Sequence, residues 1–204
     1  MTKPVIVLIG GATGTGKSTV ATEVAHRLGI NRVSSTDVVR QTLRAFFAPE
    51  YMPAIHRSSF DADPGESLVD AFLEQTKEVL VAVEGSVERA VGEGWSMVLE
   101  GVHLVPGMLS IPEGEAIVAQ CVLSIMDEEA YAAHFWIRDA ASRGLRPVEK
   151  YLERLEDIRR LQDFIVERAR ETGVPVIENR NVESTVSAVI ELVLGTAAEQ
   201  LERV

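Results

Sequence analysis

The sequence predicts an α/β fold with three layers: a five-stranded parallel sheet with helices on both faces, in one domain over 1–204. Three observations predict it. Short apolar runs alternate with segments of helical periodicity along all 204 residues. The first run, Val5-Ile-Val-Leu-Ile9, passes directly into the glycine-rich stretch Gly10-Gly-Ala-Thr-Gly-Thr-Gly-Lys-Ser-Thr19 and then into a helical stripe. A hydrophobic content of 46% is enough for a full core at this length.

Residues 4–9 read as the first strand and 17–28 as the first helix, with Val20, Ala21, Val24, Ala25 and Leu28 on one face and Gly29 as its stop. A short strand is expected over 31–34 and a helix over 37–47, where Val39, Leu43 and Phe46 cluster on one side. Residues 48–66, carrying Pro49, Pro53, Pro64 and Gly65, read as irregular. Leu68, Phe72, Leu73, Thr76, Leu80, Val83, Val87 and Val91 mark a long helix that ends at Gly92 and Gly94. Strands follow over 95–99 and 117–125, then a helix over 127–138 and a basic loop over 139–146. Pro147 begins a helix at its favoured first position, with Val148, Leu152, Leu155, Ile158, Leu161 and Ile165 as its stripe and Gly173 as its end. A strand over 174–177 and a helix over 183–194 complete the chain. Strand–helix alternation implies parallel strands joined by right-handed crossovers.

Composition excludes several classes. The net charge is -11, which opposes general nucleic-acid binding. No apolar run reaches membrane-spanning length, and the N-terminus lacks a secretory pattern. The single cysteine, Cys121, rules out an internal disulfide and a cysteine zinc site, and its apolar neighbours predict a buried, inert thiol. The expected compartment is the cytoplasm.

Ligands of such sheets bind beyond the carboxyl ends of the strands. The glycine-rich stretch there is a P-loop: Gly11, Gly14 and Gly16 let successive N–H groups turn toward one anion, and Thr13, Thr15 and Thr19 fill the remaining turn positions. The following helix adds its unpaired N–H groups and positive dipole end. Lys17 is placed to reach the outer phosphates of a nucleotide and the Ser18 hydroxyl to ligate magnesium. ATP and Mg2+ are therefore the expected cofactors.

Other strand ends supply candidates for the second reactant. Asp37, Arg40 and Arg44 fall within about 60° of one another on a helix. This stripe suits an acid that orients or deprotonates a hydroxyl, beside two guanidinium groups that clamp a carboxylate or phosphate. An N-cap role for Asp37 competes with this reading, and Ser35 and Thr36 are alternative caps. The loop residues His56, Arg57, Ser58 and Ser59 are further anion contacts. Glu100 ends an apolar strand where P-loop proteins hold the metal's shell, Gly101 permits close backbone approach, and His103 is a polar group nearby. Arg138, Arg143, Arg146 and Lys150 form a basic cluster, read as a lid over about 138–147 in which Arg138 and Arg143 act on the transferring group. His134, Arg159 and Gln162 are weaker candidates there. Asn179, after the last strand, lies near the expected adenine site. The acceptor-binding region is assigned to about 37–66.

The chain resembles the 2-phosphoglycerate kinase family of P-loop small-molecule kinases. The resemblance is carried by Gly10–Thr19, Ser35-Thr-Asp-Val-Val-Arg40, His56-Arg-Ser-Ser59, Leu99-Glu-Gly-Val-His-Leu-Val-Pro-Gly107, His134-Phe, Ile158-Arg-Arg-Leu-Gln162 and Val174-Pro-Val-Ile-Glu-Asn179. The Glu-Gly-Val-His-Leu-Val-Pro-Gly string is the most particular of these. The resemblance implies a fold similar to nucleotide and shikimate kinases. It also implies ATP-dependent phosphorylation of the free 3-hydroxyl of 2-phosphoglycerate. Archaeal members carry a further region before the P-loop strand, where this chain begins at that strand, so a regulatory or oligomerising role of that region is expected to be missing. The expected partner is a small anionic hydroxyl compound, with no nucleic acid and no membrane; a homodimer stays open. Two alternatives stand beside it: a kinase for another acceptor (sugar acid, nucleoside or antibiotic hydroxyl) and a regulatory nucleotide-binding ATPase.

Overall fold

The computed structural model describes residues 3–111, 114–142 and 148–202, leaving aside the side chains at 138, 139, 141, 142, 201 and 202. In chain order the elements are β1 (Val5–Gly10), α1 (Lys17–Arg27), β2 (Val33–Ser35), α2 (Thr36–Phe46), a 3-10 turn (Ala54–His56), α3 (Leu68–Gly92), β3 (Met97–Glu100), β4 (Ile117–Ser124), α4 (Glu128–Ser142), α5 (Val148–Leu152), α6 (Leu155–Glu171), β5 (Val176–Glu178) and α7 (Val182–Glu202). The five strands form one sheet in the order β2-β3-β1-β4-β5. Every pairing is parallel.

Register places the strand ends level. Ile9 stands opposite both Glu100 and Cys121, Ser35 opposite Glu100, and Ser124 opposite Glu178. The loops after these residues therefore share one edge of the sheet, where a ligand meets them all.

Alternation along β1 sorts the core into two layers. Ile6 and Leu8 pack with Val79, Val83 and Val87 of α3. Val7 and Ile9 pack with Val20 and Val24 of α1 and Val186 and Val189 of α7. A third cluster, Phe72, Tyr131, Phe135, Ile158, Leu161 and Ile165, fills the space beneath α4 and α6. Each such side chain contributes about 1.5–3 kcal/mol on burial. Cys121 is buried in the second layer, and desolvation pushes its thiol up to about 12, as an inert core residue requires.

Four expectations are corrected. The helix expected to run unbroken from Pro147 to Gly173 is interrupted between α5 and α6. Arg154 at the break is held by Asp61 (3.3 Å), Asp157 (3.0 Å) and the Phe60 carbonyl (2.8 Å), which ties the turn to the segment after the 3-10 turn. The strand read over 174–177 begins at Val176, because Pro175 has no N–H for the ladder and offers only its carbonyl to Val122 N (2.9 Å). Phe46, at the end of α2, does not join Val39 and Leu43 against the core but is exposed. In addition, α4 continues through residues 139–142, which were read as loop.

Candidate functional site

The P-loop links β1 to α1. Gly16, in left-handed conformation (φ 85°), stands at the N-cap of α1, and no side chain caps the helix. The first N–H groups of α1 are thereby directed at the loop's concavity, and its first turn holds no acidic residue to compete with an anion. Inside the loop, the Ala12 carbonyl accepts from Thr15 Oγ1 (2.9 Å) and from Lys17 Nζ (2.7 Å). Gly11 and Thr15 are buried and shape the loop from within.

Neighbouring elements hold the loop from below and from the side. Asn179, buried, donates through Nδ2 to the Thr15 carbonyl (2.9 Å) and accepts from Thr185 Oγ1 (2.8 Å). A Cβ at Gly16 would collide with that amide. From α4, Tyr131 donates to the Thr13 carbonyl (2.8 Å) and His134 Nδ1–H to the Gly14 carbonyl (3.1 Å). The Phe135 ring occupies the space a Cβ at Gly14 would need, and it stacks on Tyr131 (5.7 Å) and Tyr151 (5.0 Å). Asn179 thus braces the loop as well as lining the cavity. Tyr131 escaped the sequence reading, and Phe135 entered it only within the His134-Phe string, since the loop residues they touch lie more than a hundred positions away along the chain.

A cavity of about 680 Å³ opens over the loop. Among its lining residues are Thr13, Gly14, Gly16, Lys17, Ser18 and Thr19 on one side, Asp37, Val38 and Gln41 on another, and Glu100, Gly101 and Asn179. Glu100 is buried, 8% exposed, and its Oε1 accepts from Ser18 Oγ (2.9 Å). A hydroxyl and a carboxylate side by side are hard oxygen donors, a pair that suits magnesium completed by phosphates and water. Asp37 is 66% exposed, and its Oδ1 lies 3.7 Å from Arg40 Nη2. Ser35, not Asp37, caps α2: its hydroxyl accepts from Val38 N (3.2 Å). That leaves the Asp37 carboxylate available to the cavity.

The guanidinium stripe falls differently from its expected place. The side of α2 that fronts the cavity is Asp37–Val38–Gln41, and Arg40 and Arg44 do not line it. Arg40, 17% exposed at its side chain, lies behind Asp37 and donates through Nη1 to the Arg57 carbonyl (2.7 Å). Burial lowers its affinity for its proton, with Asp37 opposing. Arg44 donates to Gln41 Oε1 (3.3 Å). The segment 56–59 also stands back from the cavity. Arg57 is engaged by Glu66 (2.8 Å), Glu74 (2.8 Å) and Asp63 (3.6 Å), so its charge is already matched. His56 Nε2–H donates to the Phe47 carbonyl (2.8 Å), the Ser58 carbonyl accepts from Asp61 N (3.1 Å), and Ser59 is buried.

His103, expected as a substrate contact, does not line the cavity. It is 0% exposed, with both ring nitrogens engaged: Nδ1 with Thr36 Oγ1 (2.8 Å) and Nε2 with Gln75 Oε1 (2.9 Å). Nor does Gln162 line the cavity; it is buried and bonds both the N–H (2.9 Å) and the carbonyl (3.0 Å) of Ile125. Arg159 lies 3.4 Å from the Met126 carbonyl. Arg138 sits on α4 with its side chain outside the described part, and Arg143 and Arg146 lie outside the described residues. No helix among the described residues is long and apolar enough to cross a membrane.

Burial pushes the His103 imidazole down to about 3; the Asp37 charge opposes this, and Arg40 and Lys17 reinforce it. In the unfolded chain a histidine titrates near 6.5. Between those values the unfolded state binds a proton that the native state refuses, so stability rises with pH there and reaches its full value above about 6.5. This one group is expected to contribute a slope of up to about 1.4 kcal/mol per pH unit. Urea unfolding of wild type and His103→Asn from pH 4 to 7 checks it: the variant loses that part of the acid slope. Parallel curves would contradict it.

No family model matches the chain. It is 39% identical over 203 residues to 2-phosphoglycerate kinase of Methanopyrus kandleri, covering 94% of this chain and 61% of that protein. Against the enzyme of that name from Thermococcus kodakarensis the identity is 43% over 191 residues, covering 90% and 64%. Against the one from Methanothermobacter thermautotrophicus it is 37% over 211 residues, covering 98% and 69%. The chain spans 61–64% of the length of the first two relatives. Among solved structures, a gluconokinase from Sinorhizobium meliloti 1021 superposes with a TM-score of 0.51 at 15% identity, covering 100% of this chain and 97% of that one. Shikimate kinase from Acinetobacter baumannii, solved with shikimate, gives 0.51 at 17%, covering 95% and 94%. At these identities the likeness is one of fold.

Proposed function

Since the chain belongs to the 2-phosphoglycerate kinase family, we propose that it transfers the γ-phosphoryl group of ATP to the free 3-hydroxyl of 2-phosphoglycerate, giving 2,3-bisphosphoglycerate. The observation that carries this reading is the shared cavity. A P-loop whose N–H groups and Lys17 face an anion stands across from an uncapping aspartate, Asp37, with Ser18 and Glu100 between them.

The roles follow from placement. The N–H groups of residues 14–19 and the Lys17 ammonium hold the β- and γ-phosphates. Ser18 and Glu100 are the residues that would hold magnesium, which when bound draws charge from the phosphate oxygens. Asp37 orients the acceptor hydroxyl and takes its proton as the new O–P bond forms and the bond from the γ-phosphorus to the β-bridging oxygen breaks, releasing ADP. Most of the rate enhancement comes from positioning and charge stabilisation, because the reactants supply the bonds that change.

The acceptor carries a carboxylate and a phosphate, so it needs cationic support on the α2 side. Arg40 does not line the cavity but stands 3.7 Å from Asp37, so its charge reaches the acceptor site from behind that carboxylate. Arg40→Ala is expected to raise the KM for 2-phosphoglycerate about three- to tenfold, as loss of a nearby charge without a direct hydrogen bond does, and to leave the KM for ATP within about twofold. Equal changes in both constants would remove Arg40 from the acceptor site. The substrate itself is tested by a panel of acceptors with ATP: 2-phosphoglycerate, glycerate, gluconate, a nucleoside and an aminoglycoside. Turnover with 2-phosphoglycerate above all others is the expected result. Turnover with an uncharged alcohol and none with 2-phosphoglycerate would refute the assignment.

A further inference from the structure

We infer that His103 is a positioning residue that sets the start of α2 against the phosphate-binding mouth, through a one-way chain of hydrogen bonds from Thr36 to the main-chain carbonyls of Ala54 and Arg57. The inference rests on the reading above, in which Asp37 of α2 serves the acceptor.

The direction of the chain is set at its far end. The Ala54 and Arg57 carbonyls can only accept, so Gln75 presents its Nε2 to them, at 2.6 and 3.0 Å. Its Oε1 then faces His103, so His103 Nε2 carries the hydrogen and donates across 2.9 Å. Nδ1 is left bare and accepts the Thr36 hydroxyl at 2.8 Å. One tautomer and one amide orientation satisfy every member. Thr36, Gln75 and His103 are all buried, so a broken link would leave unpaired polar groups away from water.

Both ends of the chain touch the proposed chemistry. At the near end, the Thr36 side chain fills the space beside Gly101, where any Cβ would overlap it. Gly101 follows Glu100, the acceptor of the Ser18 hydroxyl. At the far end, the Arg57 carbonyl takes a second bond from Arg40 Nη1 (2.7 Å), and Arg40 stands beside Asp37. The line therefore ties together the start of α2, the turn after β3, α3 and the 3-10 turn. Apolar packing would stabilise the same volume at least as well as a desolvated polar line. What the polar line adds is fixed spacing between two reactant subsites, where a displacement of about 1 Å costs on the order of a hundredfold in rate.

The test compares Thr36→Val, Gln75→Leu and His103→Asn with Thr36→Ser, which keeps the hydroxyl. Steady-state kinetics with ATP and 2-phosphoglycerate are expected to show kcat/KM for the acceptor reduced tenfold or more in the first three variants. The KM for ATP stays within twofold, and Thr36→Ser restores wild-type values. Amide hydrogen exchange supplies a readout independent of substrate. The His56 amide, bonded to the Pro53 carbonyl (3.1 Å), and its neighbours in 54–57 exchange faster in the first three variants only, while residues 11–19 are unchanged. Equal loss for ATP and acceptor, or unaltered exchange over 54–57, overturns the inference. A wild-type protein inert toward 2-phosphoglycerate that still shows this exchange pattern refutes the substrate assignment and supports the positioning line.

Discussion

Lys17→Ala is expected to lower phosphoryl transfer by about 10²–10³-fold or more while the protein stays folded. The loss follows from removing a preorganised cation from a site where negative charge is concentrated and water is scarce. The fold should survive because the ammonium's partner within the loop is not orphaned. Thr15 Oγ1 donates to the same Ala12 carbonyl at 2.9 Å, and Thr15 N lies at 3.4 Å. ATP-dependent turnover and thermal unfolding, measured on one preparation, check both halves. Normal turnover in the variant would contradict the assignment of the P-loop, and an unfolded variant would contradict the account of how the loop is held.

Asp37→Asn is expected to reduce kcat by about 10²–10⁴-fold, the range for losing a general base, with little change in ATP binding. The substitution keeps the side chain's shape and removes its charge and proton affinity. Helix α2 should be unaffected, since Ser35 supplies its cap. Steady-state kinetics beside equilibrium ATP binding measure the two effects. Retention of kcat within about threefold would remove Asp37 from the proton transfer.

What the sequence could disclose here depended on the range of the interactions concerned. The P-loop, Ser18 and Glu100 were legible because local spacing encodes them: strand, glycines, helix, and an acid at the end of an apolar strand. The burial of Cys121 was legible for the same reason. The stripe Asp37–Arg40–Arg44 was read correctly as a feature of one helix, but its orientation was not. Which side of α2 meets the cavity is decided by packing on α3 and the 3-10 turn, and that packing turns Arg40 toward the Arg57 carbonyl. His103 looked like a polar loop residue because its partner Gln75 lies on a helix 28 positions earlier. Arg57 looked like an anion contact because the acids that neutralise it are spread over an irregular loop and a helix. In the same way, Arg154, at the break in what periodicity reads as one helix, is paired with Asp61, ninety-three positions earlier (3.3 Å).

The central claim is that a nucleotide and a small anionic alcohol meet in the cavity between the P-loop and α2. Incubation of the protein with magnesium, ATP labelled at the γ-phosphate and 2-phosphoglycerate tests it most directly. The account predicts label in a bisphosphorylated glycerate, in amounts that depend on the acceptor and match the ADP formed. Label found in inorganic phosphate alone, at a rate the acceptor does not alter, would contradict it.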